Sequence, residues 1–153
     1  MNEEKKKIEK LIKEFFGKMS SEEKPRIEKI ENNIIFLELE TKTPDIFIGK
    51  HGVVLDDIQL ILGKIIKRQV SGEFFVDLDI NHYKQNKTEY LKGLAQNLAN
   101  EAFLEKQEKV LPIMTPRERR VVHIFLGERA DVETESIGEE PERRIVIKPK
   151  TSN

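Results

Sequence analysis

The stretch "DIFIGKHGVVLDDIQ", Asp45 to Gln59, decides the reading of the first half of the chain. Pro44 interrupts the backbone just ahead of it, and "DIFIGKHG" has room for no more than one helical turn before the glycines. From Val53 to Arg68 the pattern is helical. At about 100° per residue, Val54, Leu55, Ile58, Ile61, Leu62, Ile65 and Ile66 fall within an arc of roughly 140°, with Asp56, Lys64 and Lys67 opposite. Leu60 falls on the charged side, an apolar residue out of place. Gly49-Lys50-His51-Gly52 is therefore a basic four-residue loop at the entrance of an amphipathic helix. Glycines permit torsions and close approaches that a Cβ obstructs. Amide groups at a helix start are unsatisfied and partly positive, and so attract phosphate oxygens. Lys50 adds a full charge and His51 a further donor. These parts suit a phosphodiester backbone. A plain helix-entry turn uses the same tetrapeptide, so the loop alone does not choose. The G-x-x-x-x-G-K-S/T spacing of a nucleoside triphosphate loop is absent.

Working outward, Ile8, Leu11, Ile12, Phe15 and Phe16 recur at helical spacing and predict an amphipathic helix ending at Gly17. "RIEKIENNIIFLELE" predicts two strands joined at Asn32-Asn33. After the central helix, Ser71-Gly72 turns the chain into a strand, "EFFVDLDI". A long helix is expected from about Asn81 to Lys106, with Tyr90, Leu91, Leu94, Leu98 and Ala102 inward, then a short strand in "KVLPIM". "TPRE" reads as a helix start: Thr115 as N-cap, Pro116 at the first helical position and Glu118 closing a capping box. That helix ends near Gly127, and "DVETES" and "RRIVIKP" form two last strands. The order α-β-β-(short α)-α-β, then α-(β)-α-β-β, divides between Asp79 and Tyr83 into domains at 1–80 and 81–150, an α+β chain.

Composition limits what these domains can do. The chain has 153 residues, 37% hydrophobic and 36% charged, which suits a globular chain with a heavily charged surface. No apolar run approaches the roughly 18 residues of a membrane span, and "MNEEKKKIEK" lacks the apolar core of a signal peptide. There is no cysteine, which fits a reducing cytoplasm and excludes disulfides and thiolate metal sites. A net charge of −1 argues against a general polyanion binder, so any nucleic-acid surface must be a local arrangement of charge.

"TPRERRVVHIFL" offers such an arrangement. With Arg119 at 0°, Arg120 lies at about 100° and His123 at about 40° on the helix. The three share one polar stripe, while Val121, Val122, Ile124, Phe125 and Leu126 fill the rest of the circle and are expected to face the core. Arginine presents a flat fork of donors suited to phosphate, and an imidazole can donate beside it, better when protonated. A solvated helix face with an incidental histidine fits the same periodicity.

Ile48-Gly49-Lys50-His51-Gly52, followed by Leu55, Ile58 and Gln59, resembles the KH domain, and the α-β-β-α-α-β order is that of its type II form. The resemblance implies that the loop clamps about four nucleotides of single-stranded nucleic acid over an apolar groove, with Ile48 and Val53 helping to line it. Arg119 and His123, within "P-x-E-R-R-x-x-H", resemble the signature of the R-x-x-x-H ("R-three-H") domain, a single-stranded nucleic-acid module of two helices on a three-stranded sheet. Arg143 and Arg144 on the closing hairpin would widen its basic patch or serve as an ordinary solvated turn. The two units in this order resemble the bacterial Jag (SpoIIIJ-associated) family over about Lys5 to Pro149. The resemblance implies a single-stranded RNA-binding regulator without catalysis, acting in post-transcriptional control linked to cell elongation, division or envelope assembly. It also implies pairing with a small single-KH-domain protein. Docking of such a partner is the alternative function, with exposed Leu60 as its support in the sequence, and single-stranded DNA is the alternative ligand. Many members carry a further small N-terminal domain and a charged linker. This chain starts almost at the KH helix, so the expectation leaves out what that domain does, including any membrane-linked role.

No cofactor, metal site or catalytic constellation is read from the remaining residues. His51, His82 and His123 lack the paired spacing of a zinc helix, and His82 is expected to cap or pack. Asp56-Asp57, and Asp77 with Asp79, are expected to be solvated surface rather than a magnesium site.

Overall fold

The computed structural model of the chain describes residues 2–19 and 22–151. Their contacts divide it into two compact units, 1–84 and 85–153. The boundary falls inside the first turn of a helix.

In the first unit, helix α1 (Asn2–Lys18) is followed by β1 (Arg26–Glu31), β2 (Ile34–Leu39), the single-turn α2 (Pro44–Ile48), a 3-10 turn at Lys50–Gly52, α3 (Val53–Gln69) and β3 (Phe75–Ile80). Asn32 and Asn33 both have positive φ, 50° and 62°, the condition of the tight turn that matches strand twist. They join β1 and β2 antiparallel, while β3 returns parallel beside β2, giving the order β1-β2-β3. Alternation along β2 sends Ile35, Leu37 and Leu39 into the core, where they lie in register with Val76, Leu78 and Ile80 of β3. Ile8, Ile12 and Phe16 of α1 and Leu55, Ile58, Leu62 and Ile66 of α3 fill that core. The buried stripe of α3 is narrower than its periodicity suggests. Ile61, expected inward, is exposed, because the stripe advances by three and four residues through Leu55, Ile58, Leu62 and Ile66 and leaves position 61 at its edge.

The second unit is built from α4 (Tyr83–Glu105), β4 (Lys109–Val110), α5 (Pro116–Gly127), β5 (Val132–Ile137) and β6 (Arg144–Pro149). Its sheet has the order β4-β6-β5, antiparallel throughout. Leu91, Ala95, Ala99 and Ala102 of α4 and Val122 and Leu126 of α5 pack with Ile145 and Ile147 of β6. Tyr90 was expected on the inner stripe and is instead exposed. The stripe starts at Leu91 and continues through three alanines, so the neighbouring position, roughly 100° away, is turned outward. Together the units make a mixed α+β chain. No helix among the described residues is long and apolar enough to cross a membrane.

Candidate nucleic-acid interface

The glycine loop is held by its backbone. Gly49 closes α2 at φ 69°, with its N–H donating to the Asp45 carbonyl at 2.9 Å. A Cβ at Gly49 would lie 2.4 Å from Cγ2 and 2.9 Å from Cβ of Val54, so both the torsion and the space require glycine. His51 (φ 56°) and Gly52 (φ 79°) continue the left-handed path, and Gly52 becomes the N-cap of α3 without any side-chain cap. The loop thus presents Lys50 and His51 to solvent directly ahead of a 17-residue helix whose first amides carry no side-chain partner at the cap. Asp56 in the first turn supports the helix electrostatically and narrows the cationic region to the loop itself.

Ile48, expected to help line a groove, is turned toward the core. It is 9% exposed and sits in the core, because the single turn of α2 presses both Phe47 and Ile48 inward, with the Phe47 ring 6.4 Å from that of Phe16. Val53 is exposed beside the loop. An apolar groove of about 290 Å³ does exist farther along, between α3 and β3, lined by Gln59, Leu60, Gly63, Lys64, Phe74 and Phe75 among others. Leu60, 56% exposed, forms part of its wall, as its position opposite the core-facing arc suggests.

Gln59 ties α3 to β3 and to the start of α4. Its Oε1 accepts the Leu78 amide of β3 and the Lys84 ammonium, both at 2.9 Å. Lys84 also pairs with Asp77, and its backbone N–H donates to Asp79 Oδ1 at 3.3 Å. The carboxylates of β3 are therefore partners of Lys84 rather than open solvated surface. His82, expected to cap or pack, is exposed at φ 57°, with Nε2 3.5 Å from Glu38. Among the described residues no group of three His, Asp or Glu side chains could hold a metal ion.

Helix α5 begins with the expected capping box: Thr115 Oγ1 accepts the Glu118 amide at 3.3 Å and Glu118 Oε2 accepts the Thr115 amide at 2.9 Å. The polar stripe beyond it differs from expectation. Arg119 is only 7% exposed. Its Nη1 donates to the Met114 carbonyl at 2.6 Å and its Nη2 pairs with the Glu140 carboxylate in the β5–β6 turn. His123 is half-buried, with Nδ1 2.7 Å from Thr134 Oγ1 and Nε2 2.8 Å from Ser136 Oγ, both on β5. Burial, and after it the positive charge of Arg119, pushes the His123 imidazole below its usual range, so the neutral ring is favoured. Arg120 alone of the three is fully on the surface. The physical reason is the roll of the helix. Its buried centre lies between Val122 and Leu126, and Arg119 falls beside them rather than opposite. Ile124, expected inward, is 62% exposed for the same reason.

Arg117 is exposed as well, and inspection of the motif alone passes over it. The signal was available: with the helix starting at Pro116, Arg117, Arg120 and Ile124 follow a three-and-four spacing along one face. Arg143 and Arg144 are half-buried. The Arg143 carbonyl accepts the Met114 amide, and Arg144 Nε donates to the Glu142 carbonyl at 3.3 Å. Glu139, Glu140 and Glu142 in the same turn offset their charge.

Residues 89–149 match the R-three-H domain family, a span that contains α5 and its arginines and leaves the glycine loop outside. The chain is similar to three curated bacterial relatives, each called RNA-binding protein KhpB. It is 36% identical to that of Clostridium symbiosum over 108 residues, covering 71% of this chain and 49% of the relative. It is 31% identical to that of Streptococcus pneumoniae over 113 residues, 74% of this chain and 34% of the relative. It is 29% identical to that of Bacillus subtilis over 107 residues, 69% of this chain and 51% of the relative. These matches span about half or less of the relatives' own length.

Proposed function

We propose that the chain binds single-stranded RNA without catalysis, using the glycine loop of the first unit for the sugar-phosphate backbone and α5 of the second as another contact. The observation that carries this reading is the loop geometry: three left-handed residues, Gly49, His51 and Gly52, set Lys50 and His51 outward at the open start of α3. The α-β-β-α-α-β order and the placement of the loop between α2 and α3 support reading this unit as a type II KH domain. The R-three-H match and relatives that bear the name RNA-binding protein support RNA as the ligand. Two weak sites on one chain raise the effective concentration of each for the same strand. The site residues in this reading are Gly49, Lys50, His51, Gly52 and Val53 in the first unit and Arg120 in the second. Arg119 and His123 belong to the second site as well. By family resemblance the physiological role is post-transcriptional control in the bacterial cytoplasm.

The test is binding of matched RNA and DNA oligonucleotides by the intact chain and by the Lys50→Asp/His51→Asp variant. The variant is expected to fold as the wild type does and to lose at least tenfold in RNA affinity, because two carboxylates face phosphate oxygens. Equal affinity of the folded variant removes the loop from the site, and tighter binding of DNA reverses the choice of sugar.

A second reading rests on the groove between α3 and β3. Exposed Leu60 and Phe75 beside it offer a docking surface for a small single-KH-domain protein, the partner that the family resemblance implies. Both readings can hold together, since the loop and Leu60 lie at different points along α3.

A further inference from the structure

We propose that the strand-contacting surface of the second unit is the outward face of α5, formed by Arg117, Arg120 and Ile124, and that Arg119 and His123 are positioning residues that set this face without touching the ligand. This rests on the RNA-binding reading and specifies which atoms perform it.

The two motif residues are occupied from within. The Arg119 guanidinium is buried and divides its donors between the Met114 carbonyl ahead of α5 and the Glu140 carboxylate in the β5–β6 turn. His123 has both ring nitrogens on hydroxyls of β5. A phosphate reaching either side chain would have to break contacts that fasten the helix to its sheet. Those contacts lock the roll of α5: Arg119 ties its first turn to the turn at Glu140, and His123 ties its middle to Thr134 and Ser136.

With the roll fixed, the outward arc is determined. Arg120, Ile124 and Arg117 lie at about 100°, 140° and 160° from Arg119, an arc of roughly 60°. Arg117 and Arg120 are exposed and form no ion pair among the described residues. The neighbouring acidic groups point elsewhere: Glu118 closes the capping box and lies 3.7 Å from Lys87, and Glu140 is on Arg119. Glu128, one turn past Ile124, is exposed and bounds the stripe at its C-terminal end. Two guanidinium forks about 4.5 Å apart along the helix axis suit successive backbone oxygens of a flexible single strand. The exposed Ile124 side chain adds an apolar platform for a base or ribose, a contact that unstacked single strands offer and duplexes withhold.

The experiment measures binding of a labelled mixed-sequence single-stranded RNA by the full chain across a salt series, with thermal melting of each variant. Arg117→Ala/Arg120→Ala is expected to melt as the wild type does, to bind at least tenfold more weakly and to flatten the slope of log affinity against log salt by about 1.4, as loss of two phosphate contacts requires. Ile124→Ser is expected to weaken binding with the slope unchanged. Arg119→Met, measured well below its melting temperature, is expected to melt lower and to keep the wild-type salt slope. If the wild type binds and the double variant matches it in affinity and slope, the proposal is overturned while the RNA reading stands. An Arg119→Met variant that melts normally and loses one phosphate from the slope overturns the positioning role. If the wild type does not bind the RNA, both readings fall.

Discussion

The glycine loop and helix α5 each bear a short basic motif, and they treat it in opposite ways. In the loop the backbone is constrained and the side chains are free: Gly49 cannot carry a Cβ against Val54, while Lys50 and His51 point into solvent. In α5 the backbone is ordinary helix and the side chains are committed: Arg119 to Met114 and Glu140, His123 to Thr134 and Ser136. A motif is thus a statement about residue types at a spacing, and the two regions show it satisfied once by shape and once by internal bonding. Positive charge in a sequence becomes surface charge only if the packing leaves it outside.

Four substitutions probe this contrast, the first with the largest expected effect. Gly49→Ala combines a left-handed torsion with overlap onto the branched side chain and backbone of Val54, and should destabilise the first unit by about 3 kcal/mol; chemical denaturation measures it. An effect under about 0.5 kcal/mol would show that the loop relaxes and that its shape is not imposed by glycine.

Arg119→Met should lower stability by about 2 kcal/mol, since it removes a charged hydrogen bond to Met114 and leaves that carbonyl without its donor. Loss of the ion pair adds less, because Glu140 is half-exposed and can turn to water. Unchanged stability would return Arg119 to the class of surface residues, alongside Lys50.

His123→Gln should cost about 1 kcal/mol near pH 8 and less at pH 5. The sign follows from the lowered folded-state value. Below the unfolded histidine's value near 6.5 the unfolded chain takes up the proton first, so the wild type loses stability as pH falls from there through the folded value. Glutamine lacks this proton, and the gap between the two proteins should shrink toward low pH. A gap that widens toward low pH would mean that the folded state favours the imidazolium, which would restore His123 as a candidate phosphate contact.

Leu60→Lys should leave melting of the first unit within about 2–4 °C of the wild type, since a surface substitution seldom exceeds ±0.5 kcal/mol. In the docking reading, its effect should appear only in association with the proposed small partner protein. A large drop in melting temperature would show that the wall of the α3–β3 groove is structural rather than free for docking.

Much of the architecture was legible before the structure. The order of elements follows from local signals: paired asparagines at a hairpin, a proline and glycines around one helical turn, and a complete capping box at Thr115. Each depends on neighbours within four residues, the range over which propensity and turn chemistry act. Tyr90, Ile61 and Ile124 lie outside for a common reason. Hydrophobicity marks a side of a helix only to within an arc, and these residues stand at its margins, where the width of the opposing surface decides burial.

By itself, the sequence determined what is local here: the α+β order, the exposed glycine loop ahead of α3, and the presence of an arginine and a histidine one turn apart on α5. Only the tertiary structure decided which way those two face. Glu140 lies 21 residues and Thr134 11 residues beyond their partners, and β5 and its turn reach α5 only once the antiparallel sheet has formed. A helical wheel places side chains relative to one another, but it has no outside until another surface packs against it; burial of Val122 and Leu126, together with the bonds from Arg119 and His123 to β5 and its turn, holds the roll that leaves Arg117 outside.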